Sequence, residues 1–357
     1  MVAGVTVVIP TRDRWHRLRR TLALVLQQSH LGELEVVIVD DGGSDGTAQH
    51  LEALGDRRIR VLRNETAGGV SAARNIGLAA ATQPWVAFTD DDDLWVARKL
   101  ELQLAAVQAQ GGECWCAGAS VTVLDDVTVT GHPQWPPAQS DISRLVLADN
   151  PIPGGGSGVL AGTELVRRVG GFDPALSLLG DWDLWTRLAL VAPFVAVHEI
   201  LLAYVLHGGS MSLAADRAMV ESDTVRDKYA AERARLEVTG FGGARTWIAG
   251  NYVRERRPLR AARLHAVLAI ETRRLGHVRA MVSALCGPTV RSLVPQRFKA
   301  APPPPEAIAF GASLRFAIEQ AGRATGLDDA RWLPPVDRSP GAPVSPPVGS
   351  RARADDP

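Results

Sequence analysis

Four consecutive acids, Asp90-Asp91-Asp92-Asp93, stand directly after the apolar run Val86 to Phe88 and just before Leu94-Trp95. A run of that kind reads as a buried strand, which places the four carboxylates together at a strand's carboxyl end. Like charges at such range raise one another's pKa unless a cation sits among them, so the cluster is a candidate site for a divalent metal or a cationic ligand. Oxygen-only ligands favour Mg2+ or Mn2+ over zinc. The competing reading is a solvated acidic turn that caps a helix starting near Leu94, because acids are favoured at helix N-termini. A second acidic turn, Asp40-Asp41-Gly42-Gly43-Ser44-Asp45-Gly46-Thr47, follows the strand-like Leu34 to Val39. Its carboxylates can accept hydrogen bonds from a base N–H or a ribose hydroxyl, although an Asx-type turn has the same composition.

The elements that must carry these acids alternate along the chain. Gly4 to Pro10 reads as a strand, Thr11-Arg12-Asp13-Arg14 as a polar turn, and Trp15 to Gln28 as a helix with Leu18, Leu22, Val25 and Leu26 at helical spacing. Leu34 to Val39 and Thr47 to Leu54 repeat the unit, and Ile59 to Leu62 and Gly68 to Ala81 do so again. Alternating strands and helices predict an α/β fold, a mostly parallel sheet covered on both faces, with ligands beyond the carboxyl ends of the strands. No G-x-x-x-x-G-K-[ST] motif is present, and no G-x-G-x-x-G follows the first strand, which argues against a P-loop or a dinucleotide site. Further on, Trp115 to Val123 reads as a strand and Ser140 to Leu147 as a helix. Pro151 to Gly158 is a flexible, glycine-dense segment suited to close backbone approach or a moving lid; strands near Phe194 to Val197 and Leu201 to Leu206 precede His207.

A chain of 357 residues that is 46% hydrophobic can bury a large core, and 39 basic against 39 acidic residues give no case for nucleic acid. The three cysteines follow no metal or redox spacing, and Cys114 and Cys116 fall on one face of a strand as reduced thiols. No signal-peptide pattern precedes the first strand, and no apolar run reaches the roughly 20 residues that span a bilayer. The expectation is a cytoplasmic protein, soluble or peripheral at the inner membrane surface.

The motifs V-T-V-V-I-P-T-R-D-R, E-V-V-I-V-D-D-G-G-S-D-G-T, G-G-V-S-A-A-R-N-I-G-L and W-V-A-F-T-D-D-D-D-L-W, in this order and spacing, resemble those of the family 2 glycosyltransferases of GT-A fold. The likeness runs from about Val5 to Ser212 and implies an inverting, metal-assisted transfer of a sugar from a nucleotide diphosphate donor. It implies nucleotide-sugar contacts from Pro10, Thr11, Arg12, Asp13, Asp40, Asp41, Gly69, Arg74, Asp90 and Asp91, with Arg74-Asn75 matching the family's R-N pair. Asp90 and Asp92 match its D-x-D, with Asp92 on the metal. Gly180-Asp181-Trp182-Asp183-Leu184 resembles the family's E-D-x-D-L helix start, with Gly180 in place of the usual glutamate. Asp181 aligns with the catalytic base, and His207 with a residue that ligates the metal or touches the diphosphate, near Ser210 and Ser212. The residues themselves leave other readings open: a helix cap for Asp181, a helix-dipole partner for Asp183, and a plain hydrogen-bonded histidine at a strand end for His207. The implied acceptor is a hydroxyl on a glycan, a lipid-linked sugar or a small molecule, in cell-surface glycan or polysaccharide assembly. The alternatives are a nucleotidyltransferase and a catalytically silent sugar-nucleotide binding module.

The expected organisation is a GT-A catalytic domain over 1–215, a basic helical extension over 216–300, and a proline-rich, largely disordered tail over 301–357. Asp216 to Leu236 is charged, with Met219, Val225, Tyr229 and Leu236 as candidates for one face. From Phe241 to Ala300 there are 12 Lys or Arg against two Glu. Arg260 to Leu275 shows Leu264, Val267, Leu268 and Leu275 at helical spacing with basic residues opposite. Such a helix either lies on an anionic membrane surface or packs on the catalytic domain with a solvated basic face. The tail holds 11 of the chain's 23 prolines, with one short helix expected between Glu306 and Gly322.

Overall fold

The computed structural model describes residues 3–29, 32–207, 214–240, 242–272 and 303–327, with short helical pieces between 276 and 285. β1 (Val5–Thr11) is buried along its whole length and leads into α1 (Trp15–Leu26), where Leu18, Leu22, Val25 and Leu26 all face the core. β2 (Leu34–Asp41) and α2 (Thr47–Leu54), then β3 (Ile59–Asn64) and α3 (Val70–Ala80), repeat the unit before β4 (Trp85–Phe88). β1 pairs in parallel with both β2 and β4, and β2 with β3. The register sets Thr11 beside Asp40, Asp41 beside Asn64 and Val8 beside Phe88, so the three acidic or polar turns leave the sheet along one edge.

The sheet continues through β5 (Leu94–Trp95), β6 (Trp115–Leu124), β7 (Val159–Gly162) and β8 (Phe194–Leu206), in the order β3-β2-β1-β4-β7-β6-β8-β5. β7 is antiparallel to β4 and β6, β8 is parallel to β6, and β5 is antiparallel to β8. Alternation along the strands splits the core in two. Val5, Val7, Ile9, Val36 and Ile38 pack with α1 and α4 (Lys99–Gln110) on one face. Val8, Val37 and Val39 pack on the other with α3, α5 (Ile142–Ala148), α6 (Thr163–Arg168) and α7 (Gly180–Ala189). Cys114 and Cys116 lie on the first face as buried free thiols; Cys286 lies outside the described residues.

Two expectations are corrected here. No helix starts near Leu94: Leu94 and Trp95 are fully buried and add a two-residue strand against Leu202 and Ala203, and the helix begins only at Lys99. The two short strands before His207 are one 13-residue strand, carried across an irregular register near Gly118 to Ser120. Within the stretch 301–357 the short helix expected between Glu306 and Gly322 is α12 (Pro305–Thr325), whose Ala307, Leu314, Ile318 and Ala321 join the core beside α1. Proline at the first turn is compatible with helix because its missing N–H has no partner there in any case. The rest of that stretch beyond 327 lies outside the described residues.

After β8, α8 (Ala215–Lys228), α9 (Ala230–Arg235), α10 (Gly243–Arg254) and α11 (Pro258–Thr272) pack back on the sheet domain. Val225, Tyr229 and Ala244 share a buried cluster with Leu147, Leu176, Leu179 and Trp182, and Leu236 packs at its margin; Met219 is partly buried in the neighbouring cluster. On α11 the inward face is Ala261, Ala262 and Leu268, with Leu264 partly buried, whereas Val267 points outward against expectation. Leu275, Arg273, Arg274, Arg279, Arg291, Arg297 and Lys299 lie outside the described residues. No described helix is long and apolar enough to cross a membrane.

Candidate active site

The strand ends open onto a cavity of about 940 Å³, at the upper end of the range for small-molecule sites. Of the expected residues, Pro10, Thr11, Arg12, Asp41, Gly69, Arg74, Asp90, Asp91, Asp92 and Asp181 line it. Asp13, Asp40 and His207 are not among the lining residues. Asp13 holds a left-handed backbone conformation (φ 53°) and accepts from the Ser44 N–H at 2.5 Å, tying the β1 turn to the β2 turn. Asp40 turns inward to accept the Gly43 N–H at 2.8 Å. Asp41 is satisfied from within the chain by Asn64 and by the Gly68 and Gly69 amides, each at 2.8 Å. Gly69 has φ 88°, a conformation that a side chain strains, and from it α3 starts toward the cavity.

The four aspartates divide by environment rather than acting as one cluster. Asp91 is buried against the Thr11 hydroxyl at 2.8 Å and Arg14 at 3.2 Å; desolvation and the neighbouring Asp92 charge push its carboxyl up to about 7. Asp93 is fully buried, accepting from the Ser157 hydroxyl at 2.5 Å and the Val205 N–H at 3.0 Å, and burial raises its pKa well above the usual range. Asp90 and Asp92 remain toward the cavity. Asp90 is ion-paired with Arg74, and Asp92 meets Arg14 at 3.2 Å and His207 Nε2 at 2.8 Å. Asp90, Asp92 and Asp93 each bring a carboxylate oxygen within 4.8 Å of the others, and oxygen donors at that spacing suit Mg2+ or Mn2+. Because Asp93 is already committed to Ser157 and Val205, Asp90 and Asp92 are the pair best placed to hold such an ion, with His207 braced on Asp92. Ser210 and Ser212 lie outside the described residues.

Arg74 is buried, and its guanidinium reaches Asp90 and lies 5.0 Å from the Phe172 ring centre. A Cβ on Gly156 would fall 2.8 Å from Arg74 Nη2, so the glycine-dense segment does serve close approach; it forms a short 3-10 turn, Gly155–Gly158, with Gly156, Ser157 and Gly158 buried. Asn75 points away from the acids and clamps Phe172, accepting its N–H at 2.8 Å and donating to its carbonyl at 2.7 Å.

Asp181 sits in the first turn of α7, deep in the same cavity. Its Oδ1 accepts the Trp182 N–H at 2.7 Å, and Asn150 Nδ2 lies 3.5 Å from Oδ2. Desolvation dominates over the nearby Arg74 charge and raises its pKa to about 6. The helix-cap alternative fits less well, because the residue at the N-cap is Leu179 and the loop amides before it are taken by another acid. That acid is Glu221 of α8, 4% exposed, which accepts from Ser177 N, Ser177 Oγ, Leu178 N and Leu179 N at 2.7 to 3.0 Å. Asp183 is no simple dipole partner either: fully buried, it binds Arg187 at 2.6 Å, and Lys228 and Tyr229 of the extension at 2.7 Å.

Sequence reasoning missed Asn150, Ser157, Glu221 and the α10 wall formed by Gly243, Ala244, Trp247 and Arg254. Asn150, Glu221 and the α10 residues belong to no motif, and Ser157 lies inside the glycine-dense segment without a signal of its own; an isolated acid 40 residues beyond Asp181 carries no spacing signal.

Comparison with known proteins finds similarity to glycosyltransferases. Residues 6–156 match the family described as Glycosyl transferase family 2. Over 101 residues the chain is 36% identical to UDP-Glc:alpha-D-GlcNAc-diphosphoundecaprenol beta-1,3-glucosyltransferase WfgD of Escherichia coli, covering 28% of this chain and 40% of that one. Over 102 residues it is 40% identical to the putative teichuronic acid biosynthesis glycosyltransferase TuaG of Bacillus subtilis (strain 168), with the same coverage. The chain thus spans about 40% of the length of these two curated relatives. The crystal structure of S. aureus TarS 1-349 aligns over 84% of this chain and 94% of that one, at 17% identity and a TM-score of 0.47. The match to a family 2 glycosyltransferase thus covers residues 6–156, and the mixed, mostly parallel sheet under helices is of the kind that the motifs' resemblance implies.

Proposed function

We propose that the chain is an inverting glycosyltransferase that moves a sugar from a nucleotide diphosphate donor to a hydroxyl acceptor, with Asp181 as general base. Residues 1–215 form the catalytic unit in this reading and 216–300 a helical extension that walls the acceptor side. The observation that carries it is one cavity with two chemically distinct ends. Asp90 and Asp92 gather cations beside the nucleotide turn, while Asp181, with its raised pKa, faces them past Arg74.

A sugar hydroxyl is a weak nucleophile because it keeps its proton, so Asp181 accepts that proton as the new bond forms at the anomeric carbon. The bond from that carbon to the diphosphate oxygen breaks on the opposite face, and in-line displacement inverts the centre. Asn150 and the Trp182 N–H orient the base; Arg74, anchored on Asp90, lies between the base and the acids. Asp90 and Asp92 would hold a divalent cation, which would supply Lewis-acid neutralisation of charge on the leaving diphosphate. WfgD's name specifies UDP-glucose as donor and a diphosphoundecaprenol-linked sugar as acceptor, and TuaG's name places it in teichuronic acid biosynthesis. By analogy the acceptor here is a cell-surface glycan intermediate, processed on the cytoplasmic side.

The test is transfer and donor hydrolysis across UDP-, GDP- and TDP-sugars, with Mn2+ and with chelator. One donor is expected to turn over, with chelation removing most of the rate, and His207→Ala is expected to weaken the metal dependence. Donor binding without turnover would instead identify a silent binding module, and pyrophosphate release from a nucleoside triphosphate a nucleotidyltransferase.

A further inference from the structure

The catalytic reading leaves one surface unused, and it is chemically uneven. On α11 the inward face is Ala261, Ala262, His265 and Leu268. The opposite face carries Leu259 and Ile270, 74% and 80% exposed, with Val267 between them. Successive steps of 100° put Leu259, Arg263, Val267 and Ile270 on one side of the helix. The helical pieces that follow expose Val278, Val282 and Leu285 at the same i, i+4, i+7 spacing. Exposed apolar residues so arranged mark a contact surface rather than leftover core.

The surroundings are basic. Arg254 and Arg256 are exposed at the α10–α11 corner, and Arg263 lies within the stripe itself. Arg257 and Arg260 both pair with Asp216, and Arg257 also with Glu255. In the sequence the region 241–300 carries 12 basic residues against two acidic ones in a chain of zero net charge. An apolar stripe flanked by arginines is complementary to an anionic lipid surface: the side chains enter the headgroup boundary and the guanidinium groups meet the phosphates. The placement is also apt. Arg254, five residues before Leu259, lines the cavity, so a bilayer against this corner lies next to the cavity mouth. We propose that the outer face of α11, with the basic α10–α11 corner, docks the chain on an anionic lipid bilayer.

The proposal does not depend on the catalytic reading and is tested without it. Full-length chain is sedimented with vesicles of mixed phosphatidylglycerol and phosphatidylcholine and with vesicles of phosphatidylcholine alone, at low and high salt. The anionic vesicles are expected to carry down about tenfold more protein, with most of the difference lost at high salt. Leu259→Glu combined with Ile270→Glu is expected to lower that binding about tenfold or more. Val191→Glu, at a 63% exposed position after α7, is expected to leave it unchanged. Thermal unfolding of each variant checks the fold; should the double variant not fold, Arg256→Gln with Arg263→Gln replaces it and is expected to abolish the salt dependence. Wild-type protein that ignores anionic vesicles, variants that bind as wild type does, or a double variant that only converts a dimer to a monomer would each overturn the proposal, the last assigning the face to a second copy of the chain.

Discussion

Replacing Asp181 by Asn tests the assigned base in two independent ways. Burial raises this carboxyl from 3.8 to about 6. Two pKa units correspond to about 3 kcal/mol of preference for the neutral form, a ceiling because the carboxyl still opens onto the cavity. A base must be ionised to act, so kcat/KM for transfer is expected to rise with pH through about 6 and then level off. Asn keeps an oxygen for the Trp182 N–H but cannot accept a proton, and the transfer rate is expected to fall by about 10²- to 10⁴-fold. Stability moves the other way. With the folded pKa above the unfolded one, the wild-type protein loses stability as pH rises from the unfolded value, and the loss is complete above about 6. Asn carries no such loss, so Asp181→Asn is expected to be more stable than wild type at pH 8, by at most about 3 kcal/mol, and nearly equal to it at pH 4. Urea unfolding at the two pH values, beside transfer assays from pH 5 to 8, reads both effects. A variant that retains more than about a tenth of the activity, or whose stability difference is the same at both pH values, would refute the assignment.

Two further predictions concern buried charge outside the reacting groups. Glu221→Ala leaves three backbone N–H groups of the loop before α7 without their acceptor, at about 1–3 kcal/mol each. Transfer is expected to fall with a raised acceptor KM while donor KM holds; equal loss on both substrates in kinetic assays would show general unfolding instead. Lys99 is fully buried, donates to Gln103 at 2.8 Å and lies 3.7 Å from the Trp95 ring centre, and desolvation lowers its pKa to about 7. Its folded pKa is below its unfolded one, so stability is lowest at and below pH 7 and recovers toward pH 10. The stability difference between wild type and Lys99→Met is expected to change by about 1.4 kcal/mol per pH unit across that window. A parallel pair of pH–stability curves in denaturant melts would show that Lys99 is not neutral in the folded chain.

How much of this was legible in the sequence depended on how local the cause was. The βα units announce themselves because a buried parallel strand is a continuous apolar run and its helix repeats at 3.6 residues; β1, β2 and β4 therefore begin and end within a residue or two of expectation. Asp41, Asp90 and Asp92 follow directly, since Asp41 ends β2 and the other two stand in the turn just beyond β4. Leu94-Trp95 misled because two residues have no period: only the long β8 beside them makes them a strand. The helix at the start of the tail was expected, and it runs three residues further than foreseen; its buried residues, Ala307, Leu314, Ile318 and Ala321, offset their ordering by packing next to α1.

The proposed acceptor side was illegible for a deeper reason, which also bears on how the site would work. Its geometry is set by contacts across 40 or more residues. Glu221 holds the loop before the base, Tyr229 and Lys228 hold Asp183 just after it, and Asp149 accepts the Ala244 N–H at the start of α10. Each of these acids has the chain's extension on one side and the catalytic sheet's loops on the other. The nucleotide end is thus built by consecutive residues at strand ends, whereas the base end is built only once α8 and α10 have docked. The physical consequence is a division of sensitivity: damage to the α8 and α10 contacts perturbs acceptor handling before donor handling, and a site whose two ends answered equally to such damage would not be assembled in this way.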